Sequence, residues 1–517
     1  MLARIVALAL AGGTLPAALA ASYLDTNGFP TLWATTTNLN GSGVVVMHCE
    51  AMETNPPPEW EVNPANVGQP AGLFTYFSTN GPATGFPNSL GVDSGHADGV
   101  GGIFYGSGGE ATNVAAVYNY EADYFYADFI SAINPASINS PIVNQSFSFG
   151  KLSVSDQQSV DRDYDDYAAE YGTLFVSAVN NGGQVCAPGT SYNGIGVGDY
   201  GGYTSIGPTI DNGRCKPDII APAGETSYST PQIAGAAAVL LQAALRGDGG
   251  SATSSAADMR TLKALLLNGA VKPGGWTNSS SSPLDARYGA GLLNIFNSYT
   301  QLAGGQHGYI ASSSIAIGAA HPPTGASGTV SASSGWDFNT VTSSSSTEGV
   351  NHYYFNTTNP LFIATLVWSR QQNQNSINNL FLFLYNAANS NLVAACTSAV
   401  DNVQHLFMTN LPAGRYDLQV LKTGGTMFLD TNMVTATETY ALAFEFSRPA
   451  LSQARNGANV TLTWPLYPAG LLLSSTTSLN PPVTWTNVNP SPPIINGQYQ
   501  VVVPVTSGNQ FFQLRQP

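Results

Sequence analysis

The chain has 517 residues, 43% of them apolar, so about three domains with sizeable cores fit within it. Only 9% of the residues are charged, and the formal net charge is -15, a balance that argues against nucleic acid and anionic membranes as partners. Gly, Ser, Thr, Asn and Pro take the place of surface charge, which suits an exported, β-rich protein.

The N-terminal run MLARIVALALAGGTLPAALAASYL places Arg4 before an apolar stretch and offers the small residues Ala18 and Ala20 for cleavage. It reads as a secretory signal peptide over 1–20. Gly12, Gly13 and Pro16 interrupt the run, which is short for a membrane span, and no later segment has the length or purity of one. In GSGVVVMHCEAMET (41–54), Val44, Val45, Val46 and Met47 read as a buried strand bounded upstream by glycines. The strand runs into His48, Cys49 and Glu50. A carboxylate at the end of a buried strand is costly unless something pairs with it, so Glu50 calls for a partner.

SPIVNQSFSFG (140–150) is expected to be a strand, and VDRDYDDYAAEYG (160–172) a helix, with Tyr164, Tyr167, Ala168 and Tyr171 on one face. TLFVSAV (173–179) and GIGVGDY (194–200) read as strands. TPQIAGAAAVLLQAALRG (230–247) reads as a long apolar helix stopped by Gly247, and MRTLKALLLNGA (259–270) as another helix. This alternation, from about 30 to 305, predicts an α/β fold with a parallel sheet covered on both faces. Beyond 305 helical periodicity gives way to serine runs. LFIATLVWS, NLFLFLYNA, GRYDLQVLK and ETYALAFEF read as the strands of a β-sandwich over 306–448. NVTLTWP, YQVVVPV and NQFFQLR read as the strands of a small β domain over 449–517. The serine-rich stretch ASGTVSASSGWDF reads as a loosely packed connection.

One segment carries a candidate nucleophile. In APAGETSYSTPQIAG (221–235) a serine precedes a helix whose first turn is expected to hold Pro231, which lacks a donor that this turn leaves unpaired anyway. The helix terminus favours negative charge and suits a serine passing through an alkoxide-like state. The commoner use of such a serine is as an N-cap. The longer segment KPDIIAPAGETSYSTPQIAGAAAVLL resembles the serine block of the subtilisin-like serine proteases, the subtilases. The resemblance puts Ser227 on the nucleophile. Thr226, Ser229, Pro231, Ile233, Ala234 and Gly235 match or nearly match the family pattern, and Glu225 replaces its glycine. SGHADGVGGIFYG (94–106) resembles the histidine block and puts His96 on the general base. Val100 and Gly102 match; Ala97, Asp98, Gly99 and Gly101 do not. LFVSAVNNGG (174–183) resembles the oxyanion segment, with Asn180 the better match and Asn181 the second choice; taken alone it is an Asn-Gly turn.

The resemblance also answers the question raised by Glu50. The family's first block is a buried strand ending in Asp-Ser/Thr-Gly, and its aspartate falls on Glu50, with Ala51 and Met52 following. A carboxylate there holds the histidine tautomer and stabilises its imidazolium, and Ser-His-Glu variants exist on other folds. Asp93, three residues before His96, is the competing acid. VNQSFSFG resembles the family's substrate-pairing edge strand, so that Ser146, Phe147 and Ser148 line the non-primed subsites by β-augmentation; read alone it is an interior strand. Among the four cysteines, which allow three full pairings, Cys186 follows the oxyanion turn and Cys215 precedes the serine block. Both belong near the active-site end of the sheet, and a Cys186–Cys215 disulfide is expected.

The resemblance covers about 40–305. It implies an α/β subtilisin-like catalytic domain with a parallel sheet (21–305), followed by two all-β domains of β-sandwich or jelly-roll type. The implied function is a secreted, monomeric serine endopeptidase acting on proteins or peptides without a cofactor. Asp161, Asp163, Asp165 and Asp166 are candidates for structural calcium, but their spacing matches no EF-hand loop and reads as a solvated helix face. The alternative is a non-catalytic protein of the same fold that binds protein or glycan through its β modules.

Overall fold

The run from Val44 forms the central strand β1 (Val45–Glu50) of an eight-stranded sheet in the computed structural model. The structure describes residues 23–53, 56–425, 434–447, 451–456, 458–465, 471–479, 482–488, 492–495, 498–504 and 509–515. The signal segment 1–20 lies outside them. The other strands of this sheet are β2 (Phe74–Ser78), β3 (Gly81–Ala83), β4 (Ala116–Glu121), β5 (Ile142–Gln145), β6 (Leu174–Ala178), β7 (Ile195–Asp199) and β8 (Ile219–Ala221). Their order is β8-β7-β6-β5-β1-β4-β2-β3, and every pair is parallel except β2 with β3. A parallel strand with neighbours on both edges and helices on its faces is apolar throughout. This accounts for Val46, Met47 and Cys49, all wholly buried.

Five helices matter for the site: α1 (Gly95–Phe104), α2 (Val154–Tyr171), α3 (Thr226–Arg246), α4 (Met259–Asn268) and α5 (Ile295–Ala303). Helix α2 starts six residues before the sequence pattern suggests, because Ser153 caps it through the Asp156 N–H, and Gly172 ends it in the left-handed region at φ 67°. Two of its four candidate acids, Asp161 and Asp165, do not lie on a solvated face, whereas Asp163 and Asp166 are half-buried. Asp161 pairs with Arg214 at 2.9 Å, and Asp165 accepts the N–H of Asn193 at 2.7 Å; both carboxylates are buried. The pattern missed them because their cationic and N–H partners come from loops distant in sequence.

The sandwich follows as two antiparallel sheets. Its strands are β9 (Ala311–Ala316), β10 (Ser334–Thr342), β11 (Thr347–Thr357), β12 (Leu361–Trp368), β13 (Leu380–Asn386), β14 (Leu392–Cys396), β15 (Val403–Met408), β16 (Gly414–Lys422) and β17 (Thr437–Ser447). One sheet runs β9-β11-β16-β13-β14 and the other β10-β17-β12-β15. Between them lies a core that includes Tyr353, Leu366, Leu382, Leu418 and Phe444. The second sheet also meets the α/β domain: α4 and α5 pack against β10, β12 and β17. Trp336, Val367, Val403, Ala441 and Ala443 belong to the core that includes the central sheet. Polar contacts reinforce this seam. Thr365 Oγ1 donates to Asn268 Oδ1 at 2.8 Å, Asn402 Nδ2 donates to Tyr192 O at 2.8 Å, and Arg370 pairs with Asp165 at 2.8 Å. The serine-rich approach therefore ends in Trp336, a residue buried in the common core. Beyond 450 two small antiparallel sheets enclose a separate cluster around Leu462, Trp464 and Leu473.

Candidate active site

The site lies at the carboxyl ends of the central strands, where open α/β sheets place their ligands. Glu50 is the last residue of β1 and is buried. His96 is the second residue of α1, whose N-cap Ser94 accepts the Ala97 N–H at 3.2 Å and donates to Glu53 Oε1 at 3.0 Å. His96 Nδ1 and Glu50 Oε1 are 2.7 Å apart. The second carboxylate oxygen, Oε2, lies 2.9 Å from His48 Nε2. Burial by itself would raise the Glu50 pKa, but the charge of His96 and the hydrogen bonds from His48 and His96 outweigh it and hold it at about 2. Burial likewise works against protonation of His96, but the Glu50 carboxylate outweighs it and lifts the pKa above the ordinary 6.5. Asp93 is exposed on a short strand (Val92–Asp93) paired with Glu59–Glu61. The acid that meets His96 is Glu50.

Ser227 lies inside the first turn of α3, because the helix begins at Thr226. Pro231 is accordingly the sixth helical residue and not part of the first turn. A proline at that position withholds the N–H that would bond the carbonyl four residues earlier, the carbonyl of Ser227. Ser146 supplies the missing donor: its Oγ bonds Ser227 O at 2.8 Å. In return Ser227 Oγ donates to Ser146 O at 3.1 Å. The tip of β5 and the start of α3 are thereby tied by two reciprocal bonds. Tyr228, the next residue, sets its ring 5.7 Å from that of His96, which brings the serine and histidine segments together. Gly99 makes room for this ring, since a Cβ there would lie 2.9 Å from Tyr228 Cε1. Glu225 has extended backbone angles, φ -148° and ψ 151°, which any residue adopts. The chain therefore accommodates it where the family pattern has glycine.

The asparagines exchange places relative to the sequence expectation. Asn180 has φ 90° and its Nδ2 donates to Gly182 O at 3.1 Å, so its amide is spent within its own turn. Asn181 Oδ1 accepts both the Thr226 N–H (2.8 Å) and the Thr226 hydroxyl (2.7 Å). This fixes the carboxamide against the residue before Ser227 and leaves its Nδ2 without a partner among the described residues. A left-handed residue before the amide was the missed signal, and asparagine tolerates that region better than most residues.

The expected edge strand and the expected disulfide are corrected. The strand preceding Ser146 is interior, with β1 on one side and β6 on the other. Ser146 and Phe147 are buried just past its end, with Phe147 packed near Phe149, and Ser148 is half-buried. The expected Cys186–Cys215 disulfide is not formed: all four cysteines are free thiols. Cys186 turns back to Gln184 O and Asn180, while the Cys215 N–H donates to Asp401 of the sandwich at 2.7 Å. Among the described residues no group of three or more His, Cys, Asp and Glu side chains is arranged to hold a metal ion, and no helix is long and apolar enough to cross a membrane.

Residues 74–291 match the subtilase family (Peptidase_S8); Glu50 precedes the matched stretch. Two similar solved structures are a serine-to-alanine mutant of the protease domain of PatA and proteases from Pseudoalteromonas arctica PAMC 21717. The first is 19% identical over 52% of this chain and 98% of that one, with a TM-score of 0.35. The second is 18% identical over 53% and 94%, with a TM-score of 0.36. No curated protein matches the chain.

Proposed function

We propose that this chain, whose residues 74–291 form a subtilase-family domain, is a secreted serine endopeptidase working through Ser227, His96 and Glu50. The observation that carries the reading is the 2.7 Å bond between His96 Nδ1 and Glu50 Oε1, made beside the start of the helix that bears Ser227. An ionised carboxylate only accepts, so His96 Nδ1 carries the proton and Nε2 is left with its lone pair. Nε2 takes the Ser227 proton as Oγ attacks the scissile carbonyl, and returns it to the leaving amine. Glu50 stabilises the imidazolium in between. The oxyanion is held by Asn181 Nδ2 and by the Ser227 N–H, a first-turn donor that a helix leaves without an internal acceptor. Export rests on the apolar segment 1–20.

One observation favours a second reading, a non-catalytic protein of this fold: Ser227 Oγ is bonded to Ser146 O and not to His96. A fluorophosphonate probe separates the two. Covalent labelling at Ser227, abolished in Ser227→Ala and strongly slowed in His96→Ala, is expected. An unlabelled, folded protein would favour the binding role.

A further inference from the structure

Glu50 has a second partner that the proposed chemistry leaves unused. Side chains two apart on a strand share a face, so His48 and Glu50 project together from β1 toward α1. His48 is wholly buried. Its Nε2 lies 2.9 Å from Glu50 Oε2, and its Nδ1 lies 2.9 Å from the hydroxyl of Tyr105, the C-cap residue of α1. Helix α1 thus supplies both ends of a continuous hydrogen-bonded chain, Tyr105–His48–Glu50–His96, buried except at His96. The sequence makes room for it: a Cβ at Gly101 would come within 2.8 Å of the Tyr105 hydroxyl. Two departures in the acid and histidine blocks fall into one arrangement here, namely glutamate for aspartate and glycine at 101.

We propose that His48, held by Tyr105, is a positioning residue that fixes the Glu50 carboxylate so that its other oxygen faces His96. This rests on the reading of Ser227, His96 and Glu50 as the catalytic group. Glutamate has one more rotatable bond than aspartate, so a strand end alone does not fix its carboxylate; a second donor removes that freedom. The ionised carboxylate accepts from both imidazoles. With His48 Nε2 donating to Glu50, its Nδ1 is left to meet the Tyr105 hydroxyl. Burial pushes the ionisation of that hydroxyl far above the ordinary range, so it remains a donor. The titratable groups around the chain are His96, Asp98 and Tyr105 on and beside α1, Tyr76 on β2, Cys49 within β1, Glu121 opposite Glu50 on β4, Tyr228 on α3, and Glu53 and Glu225 from the flanking loops.

The test compares His48→Met, His48→Gln and Tyr105→Phe in the full chain, reading ester hydrolysis against pH and labelling of Ser227 by the probe. His48→Met removes the donor and is expected to lower kcat by roughly tenfold to a hundredfold, the range spanned by one hydrogen bond to a charged group, with KM little changed. Without that donor the Glu50–His96 pair binds its proton more tightly, so the acid limb of kcat/KM moves to higher pH. His48→Gln keeps an amide donor and is expected to recover most of kcat. Tyr105→Phe is expected to move the limb the same way by less, and decides the matter if His48→Met does not fold. A wild-type kcat and limb in His48→Met, or in Tyr105→Phe should it be the decisive variant, overturns the proposal. Failure of the wild-type chain to label would instead overturn the catalytic reading itself.

Discussion

At the scale of single residues, the acid of the site is set by contact and not by spacing in sequence. Asp93 is three residues from His96 yet exposed, whereas Glu50 is 46 residues away and 2.7 Å distant. Glu50→Gln is expected to lower kcat by about 10⁴-fold, as neutralising the triad acid does elsewhere, with Asp93→Asn near wild type; steady-state hydrolysis of a peptide ester measures both. The two asparagines separate in the same assay. Asn181→Ala removes the free amide and is expected to cost about 10²–10³-fold in kcat. Asn180→Gly suits φ 90° and keeps activity. In the proposed mechanism His96 works as a neutral base, and its pKa is raised above 6.5, so the acid limb of kcat/KM is expected above pH 6.5 in the wild type and lower in Glu50→Gln. The stability terms have opposite windows. The depressed Glu50 contributes stability above its ordinary 4.5, lost as pH falls toward about 2. The raised His96 contributes stability below 6.5, lost as pH rises through its folded value. A pH series of thermal melts of the wild type and Glu50→Gln reads both.

Among the elements, α3 shows how a helix can carry a proline in its second turn. The bond that Pro231 withholds from Ser227 O is replaced by Ser146 Oγ, so the start of α3 is pinned to the tip of β5. Ser146→Ala leaves this carbonyl without a donor. It is expected to destabilise the protein by about 1–3 kcal/mol, seen in urea unfolding, and to lower kcat because the turn that presents Ser227 loosens. Melting and activity indistinguishable from wild type would show that the reciprocal bonds add nothing. The histidine block follows similar logic. Gly99 and Gly101 depart from the family pattern where the rings of Tyr228 and Tyr105 need the space.

For the whole molecule, the proposed triad, the proposed oxyanion amide and β1 to β8 all precede residue 305, and sequence alone suggests that a chain ending there would suffice. The packing argues otherwise. Such a chain strips the second sandwich sheet from α4 and α5 and uncovers the core that holds Trp336, Val367, Val403, Ala441 and Ala443. It is expected to be poorly soluble, or to melt well below the full protein in a thermal shift measurement. Removing 451–517 is expected to leave the main melting transition unchanged, since that segment buries a cluster of its own. Equal melting temperatures for the chain ending at 305 and the full chain would refute the first expectation, and a large shift on removing 451–517 the second.

Local pattern determined a great deal about this protein. The apolar run into Glu50, the periodicity of α2, the small-residue helix α3 ended by Gly247 and the alternating strands of the sandwich are all one-dimensional signals, because periods of 2 and 3.6 are written along the chain. The serine block was legible because its chemistry and its helix start occupy one short segment. Strands β2, β3, β4 and β8 were not; β3 and β8 have three residues each, too few to show a period. Only the tertiary structure decided which acid meets His96, which asparagine keeps a free amide, that Asp161 and Asp165 are buried against Arg214 and the Asn193 N–H, and that Cys186 and Cys215 remain thiols. Each is a relation between segments tens of residues apart. Such relations depend on distances and angles that strand order and helix packing set, and sequence spacing does not encode them.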